Sequence, residues 1–170
     1  LGADLVGVSS ARRLADIVEQ MRPVFENQTI LDATGRGKFA PWDPKVSQRK
    51  RKLLAPVAHV PGARSVMVFA LRMHAETVEQ AGRPPAEAAG PYAFQTYATS
   101  WVGSGIAALL VKELEAMGHH AAISMDLLNT ASFTANPRGE QPDGFSNRFA
   151  ALAAGLGWLT LSGRTATPEF

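Results

Sequence analysis

S-N-R-F-A-A-L-A-A-G-L-G-W-L-T-L-S-G-R-T-A-T-P-E-F, Ser146 to Phe170, is the stretch on which the reading of this chain turns. Its first third predicts a short Ala-rich helix, with Ser146 or Asn147 as the N-cap. Phe149, Leu152 and Ala153 fall at i, i+3 and i+4, the spacing of a core-facing side. Gly155 stands where a helix C′ residue needs positive φ, and Leu156 can pack back on the last turn. Gly157 gives a second permissive position before Trp158 and Leu159. Ser162-Gly163 predicts a further turn, and Arg164 to Thr167 a short strand closed by Pro168. Two glycine turns this close bring bare backbone beside whatever lies next to them, which suits the approach of a large flat ligand.

Upstream, Ala121 to Met125 predicts a strand with Asp126 just past its end. An irregular insert, Asn129 to Gly144, then leads to the motif. Tyr92 to Met117 predicts one long helix, with Ile106, Leu109, Leu110, Val111, Leu114 and Met117 as its stripe and Gly118 as its end. Tyr92, Phe94, Tyr97 and Trp101 crowd its first half and, Tyr97 apart, read as core. Gly103 and Gly105 admit close approach of another helix or a ligand. Ala75 to Gly90 is polar, a loop or a frayed helix. Ala63 to Met73 is the clearest strand, and its apolar run from Val66 to Leu71 predicts cover on both faces. Residues 22 to 61 are poorly periodic and hold Pro23, Pro41, Pro44, Pro56 and Pro61. They predict a surface excursion carrying one helix, Pro44 to Leu54. Gly2 to Ser9 predicts a first strand. A helix from Ala11 to Met21 follows, with Leu14, Ile17, Val18 and Met21 on one face and Pro23 ending it.

With 170 residues, 46% of them apolar and 19% charged, the chain is long enough for one globular domain with a real core. No apolar run has the length of a membrane span and the start lacks the pattern of a secretory leader, so a cytoplasmic protein and no membrane partner are expected. The chain begins without Met and stops inside its motif, which reads as a fragment. It has no cysteine, which excludes disulfides, thiolate zinc sites and Cys-ligated iron–sulfur clusters within it. His59, His74, His119 and His120 show no ligand spacing, and no metal site is expected. The net charge is +2, yet residues 38 to 52 alone carry +5 and the remainder −3. The run Arg49-Lys50-Arg51-Lys52 reads as a solvated helix face, with an anion site for a cofactor phosphate or RNA as the competing reading. Nucleic acid is not expected as a partner.

Three segments resemble one enzyme family. Ala154-Gly155-Leu156-Gly157-Trp158-Leu159 and Thr167-Pro168-Glu169-Phe170 resemble the A-G-L-G-[WE]-[IL] and T-P-E-[FY]-G signature of reductive dehalogenases and epoxyqueuosine reductases. These belong to a cobalamin-dependent reductase superfamily with a nitroreductase-like corrinoid-binding core. The opening L-G-A-D-L-V-G-V-S resembles the family's first strand. Pro61, Ala63, Arg64, Ser65 and Val66 resemble its P-x-A-[RK]-[ST]-V segment. Thr160-Leu161 departs from the family's Gly followed by Lys or Arg, and Arg164 is the candidate replacement cation.

The resemblance implies an α+β fold with a nitroreductase-like core, a central, mostly antiparallel sheet flanked by helices. Residues 1–170 would then form a corrinoid-binding, reductase-like domain. It implies cobalamin held with its lower base off the cobalt. The cofactor-binding candidates are Gly155, Leu156, Gly157, Trp158, Ser162, Gly163 and Arg164. It also implies a small-molecule substrate and an electron donor such as ferredoxin, flavodoxin or a fused reductase. The family's iron–sulfur part follows the T-P-E-[FY]-G segment, so clusters are expected only in a part beyond Phe170. Asp126 matches the strand-end acid that donates a proton in epoxyqueuosine reductases, while Asp143 better fits the spacing to the motif. Tyr97 is the second proton-donor candidate, because reductive dehalogenases use a tyrosine and a phenol is protonated at neutral pH. Rival readings are a non-catalytic corrinoid carrier, a flavin-binding nitroreductase relative with Arg12 and Arg13 as its phosphate contacts, and a domain acting on RNA through its basic excursion.

Overall fold

The computed structural model describes residues 1–34, 45–79, 91–124, 126–129, 145–161 and 165–168. Its elements are β1 (Leu5–Ser10), α1 (Ala11–Phe25), β2 (Thr29–Thr34), β3 (Lys45–Lys50), β4 (Ser65–Ala70), α2 (Ala75–Glu79), α3 (Pro91–Ala116), α4 (Phe145–Ala153), β5 (Trp158–Leu159) and β6 (Thr165–Ala166), with a 3-10 turn at Pro56–Ala58. The chain is therefore α+β. Its described strands form three separate pairs, β1 with β4, β2 with β3 and β5 with β6, where the resemblance implies one central sheet. The chain divides into two compact units. The larger is Gly7–Val68 with Ser124–Pro168, the smaller Leu1–Val6 with Phe69–Ile123 and the last two residues.

In the larger unit, Ser10 caps α1 by accepting the Arg13 N–H at 3.1 Å. Ala11, Leu14, Val18 and Met21 recur on one helical side and are buried. α1 runs on through Pro23 to Phe25, past the expected stop. Pro23 lies in the last turn, so its missing N–H removes a single intrahelical bond. The Arg22 guanidinium, 2.9 Å from the Glu19 carboxylate and 3.2 Å from that of Glu26, ties this turn from outside.

The helix expected at Pro44 to Leu54 is instead strand β3, paired antiparallel with β2 in the register Thr29↔Lys50 to Thr34↔Lys45. A short helix there would have no apolar stripe to bury and is marginal by itself. Pairing with T-I-L-D-A-T gives the same backbone its hydrogen bonds. Asn27, at φ 63, starts the turn. Asn27 N–H donates to the Arg51 carbonyl, and Arg51 N–H to the Gln28 carbonyl, both at 2.9 Å. The basic run is thus no solvated helix face. Lys50 and Lys52 are exposed, but Arg51 is 8% exposed. Its guanidinium lies 5.7 Å from the Phe25 ring centre and donates to Gln28 Oε1 at 3.1 Å. Nor is 22–61 only a surface excursion. Leu53 joins Leu14, Val18, Met21, Leu128, Ala150 and Ala153 in the core, and its N–H donates to Glu26 Oε2 at 2.8 Å.

β4 covers Ser65–Ala70, inside the expected strand, but Met67 on it is 45% exposed. Among the described strands β4 has β1 alone as neighbour. Residues 121–124 carry no regular secondary structure, where a strand was expected. Ala122, Ile123 and Ser124 are exposed, so this short run gains no burial to hold it extended.

In the smaller unit α3 is the long helix expected, 26 residues to Ala116. Gly118, at φ 84, ends it. The Gly118 N–H reaches the Glu115 carbonyl at 2.9 Å and the His119 N–H the Leu114 carbonyl at 3.0 Å, the paired bonds of a glycine C-cap. α3 buries Ile106 and packs on α2. A side-chain carbon at Gly103 would sit 3.6 Å from Leu71 Cδ1. Asp4 accepts the Arg72 N–H at 2.8 Å and donates its own N–H to the Ala70 carbonyl at 3.0 Å.

Candidate functional site

The glycine-rich stretch is built from the end of α4. The Gly155 N–H donates to the Leu152 carbonyl and the Leu156 N–H to the Ala151 carbonyl, each at 3.0 Å. Gly155 has φ 74. This is the C-cap that the sequence predicts, with Leu156 folded back half-buried. A Cβ at Gly155 would meet nothing within 4 Å, so its backbone is open on that side. Gly157 is different. A Cβ there would collide with the Ala166 carbonyl oxygen, and the Ala166 carbonyl carbon would lie 2.9 Å away. The close approach at Gly157 is therefore to β6 of the same chain. β5 and β6 pair antiparallel, Trp158 opposite Ala166 and Leu159 opposite Thr165. The first half of the glycine signature thus pairs with the two residues that precede its second half.

Gly7 is the residue that sequence reasoning missed. A Cβ on it would stand 2.9 Å from Ala154 Cβ, the Ala154 carbonyl oxygen and Leu156 Cδ2. Strand β1 therefore lies directly on the helix end that carries Ala154-Gly155-Leu156. The third resembling segment is anchored nearby, because the N–H of Ala11, the first residue of α1 directly after β1, donates to the Arg64 carbonyl at 2.9 Å. Residues from all three segments meet inside the larger unit. The available signal was the place of Gly7 inside a strand, where glycine marks a close approach.

Asp126 lies in a turn rather than at the end of a strand. Its carbonyl accepts the Asn129 N–H at 3.1 Å. Its carboxylate accepts the hydroxyl of Ser146, a residue with no exposed surface. Ser146 Oγ in turn accepts the Leu128 N–H at 3.0 Å. Ser146 is thus inside α4 and bonds across the chain, where an N-cap was expected. The turn is fixed at three further points: Leu54 N–H to the Leu128 carbonyl at 3.1 Å, His59 Nε2 to the Leu127 carbonyl at 2.7 Å, and Asn129 Nδ2 to the Lys52 carbonyl at 2.6 Å. Asn129 adopts φ 55, a region asparagine tolerates.

Tyr97 lies on α3 in the smaller unit, and its side chain falls outside the described residues. So do Asp143, Ser162, Gly163 and Arg164. Trp158 and Leu159 are 55% and 43% exposed, and Leu161 is fully exposed. Thr165 Oγ1 is buried without a hydrogen-bond partner. An open groove of about 500 Å³ is lined by Asp4, Arg72, Met73, His74 and Ala75 and includes none of the expected site residues. Among the described residues no three His, Cys, Asp or Glu side chains are grouped to hold a metal ion. No helix among them is long and apolar enough to cross a membrane.

Comparison with protein families, with curated proteins and with solved structures finds no match to this chain.

Proposed function

We propose that this chain is a corrinoid-binding domain of the cobalamin-dependent reductase type, with β5, β6 and the α4 end as its cofactor face. The observation that carries the reading is the meeting of the resembling segments: Gly7 of the opening segment lies against Ala154 and Leu156, and β1 pairs with β4, which begins at Ser65. The residues present fit a large flat ligand in three respects. Gly155 leaves its backbone open, Trp158 and Leu159 offer exposed apolar surface, and the Thr165 hydroxyl lacks a partner. Gly157 does not contribute a cradle, since β6 fills that space. A bound corrinoid supplies the reductive chemistry at its cobalt. The chain supplies apolar contact through Trp158 and Leu159 and a backbone edge at Gly155.

The nitroreductase-like arrangement, the electron donor and the reductase activity belong to this proposal. A second reading, a corrinoid carrier without its own proton donor, is favoured by one feature. The Asp126 carboxylate is engaged by Ser146 inside a turn pinned at several points, which is the work of an anchor. The test is equilibrium dialysis against hydroxocobalamin and, separately, flavin mononucleotide. Retention of the corrinoid alone, weakened about two- to tenfold by Trp158→Ala, is the expected result, the loss of an aromatic contact of roughly 0.5–1.5 kcal/mol. Retention of flavin and not corrinoid overturns the reading.

A further inference from the structure

We draw no further inference here: the strongest candidate, the open groove of the smaller unit lined by Asp4, Arg72, Met73, His74 and Ala75, is walled by exposed side chains with Met73 alone half-buried, and nothing in the structure shows what fills it.

Discussion

Gly155 and Gly157 stand two residues apart and are required for different physical reasons. Gly155 has room around it and a left-handed φ, so Gly155→Ala carries backbone strain alone, about 1 kcal/mol. Gly155→Asn is expected to lose less, because asparagine enters that region more readily. Gly157→Ala drives a methyl group into the backbone of β6, and the hairpin must open to accept it. Urea denaturation is expected to rank Gly157→Ala as clearly more damaging than Gly155→Ala. The position of Gly155 was legible because a helix C-cap is a local event, written in residues 151 to 156. The neighbour of Gly157 was not, because it depends on how β6 returns. The same contrast holds at Ser146. Its polarity near a helix start signals a cap, but its true partners lie about twenty residues earlier, at Asp126 and Leu128. Ser146→Ala leaves the Leu128 N–H without its acceptor in a buried site. A loss of about 1–3 kcal/mol in unfolding free energy is expected.

At the scale of elements, the hairpin β2–β3 is held to the rest of the larger unit through its base. Glu26 accepts the Leu53 N–H at 2.8 Å and faces Arg22 at 3.2 Å, so one side chain links the end of α1 to the chain leaving β3. Glu26→Ala is expected to destabilise by about 1–3 kcal/mol and Glu26→Gln by less, since the amide oxygen can still accept from Leu53. Equal losses in chemical denaturation would show that charge, and not this acceptor, holds the junction. α1 was legible because its apolar residues repeat at helical spacing, and α3 because a long run without proline ends at Gly118, although Leu109 and Met117 of its expected stripe are exposed. β3 was not, because K-V-S-Q-R-K has no long apolar period and its strand conformation depends on β2. Arg51 reads as one more surface cation in a basic run, and only the fold places it over Phe25.

For the whole molecule, the central claim is that segments more than a hundred residues apart meet to form a corrinoid-binding face. The opening strand, the Pro61–Val66 segment and the halves Ala154–Leu159 and Thr167–Phe170 each carry the resemblance, but nothing in their spacing fixes that they touch or that Gly7 is the point of contact. Gly7→Ala tests the meeting point itself. The added methyl would overlap Ala154 and Leu156 at 2.9 Å, and a cost of about 1–3 kcal/mol from overpacking is expected, together with weaker retention of the cofactor.

The most direct measurement is the visible spectrum of cobalamin, reduced to its cob(II) state, as the purified chain is titrated into it. Saturable conversion to the base-off spectrum, with cofactor retained through desalting, is the result this account expects. An unchanged base-on spectrum at excess protein, with the cofactor lost on desalting, would contradict it.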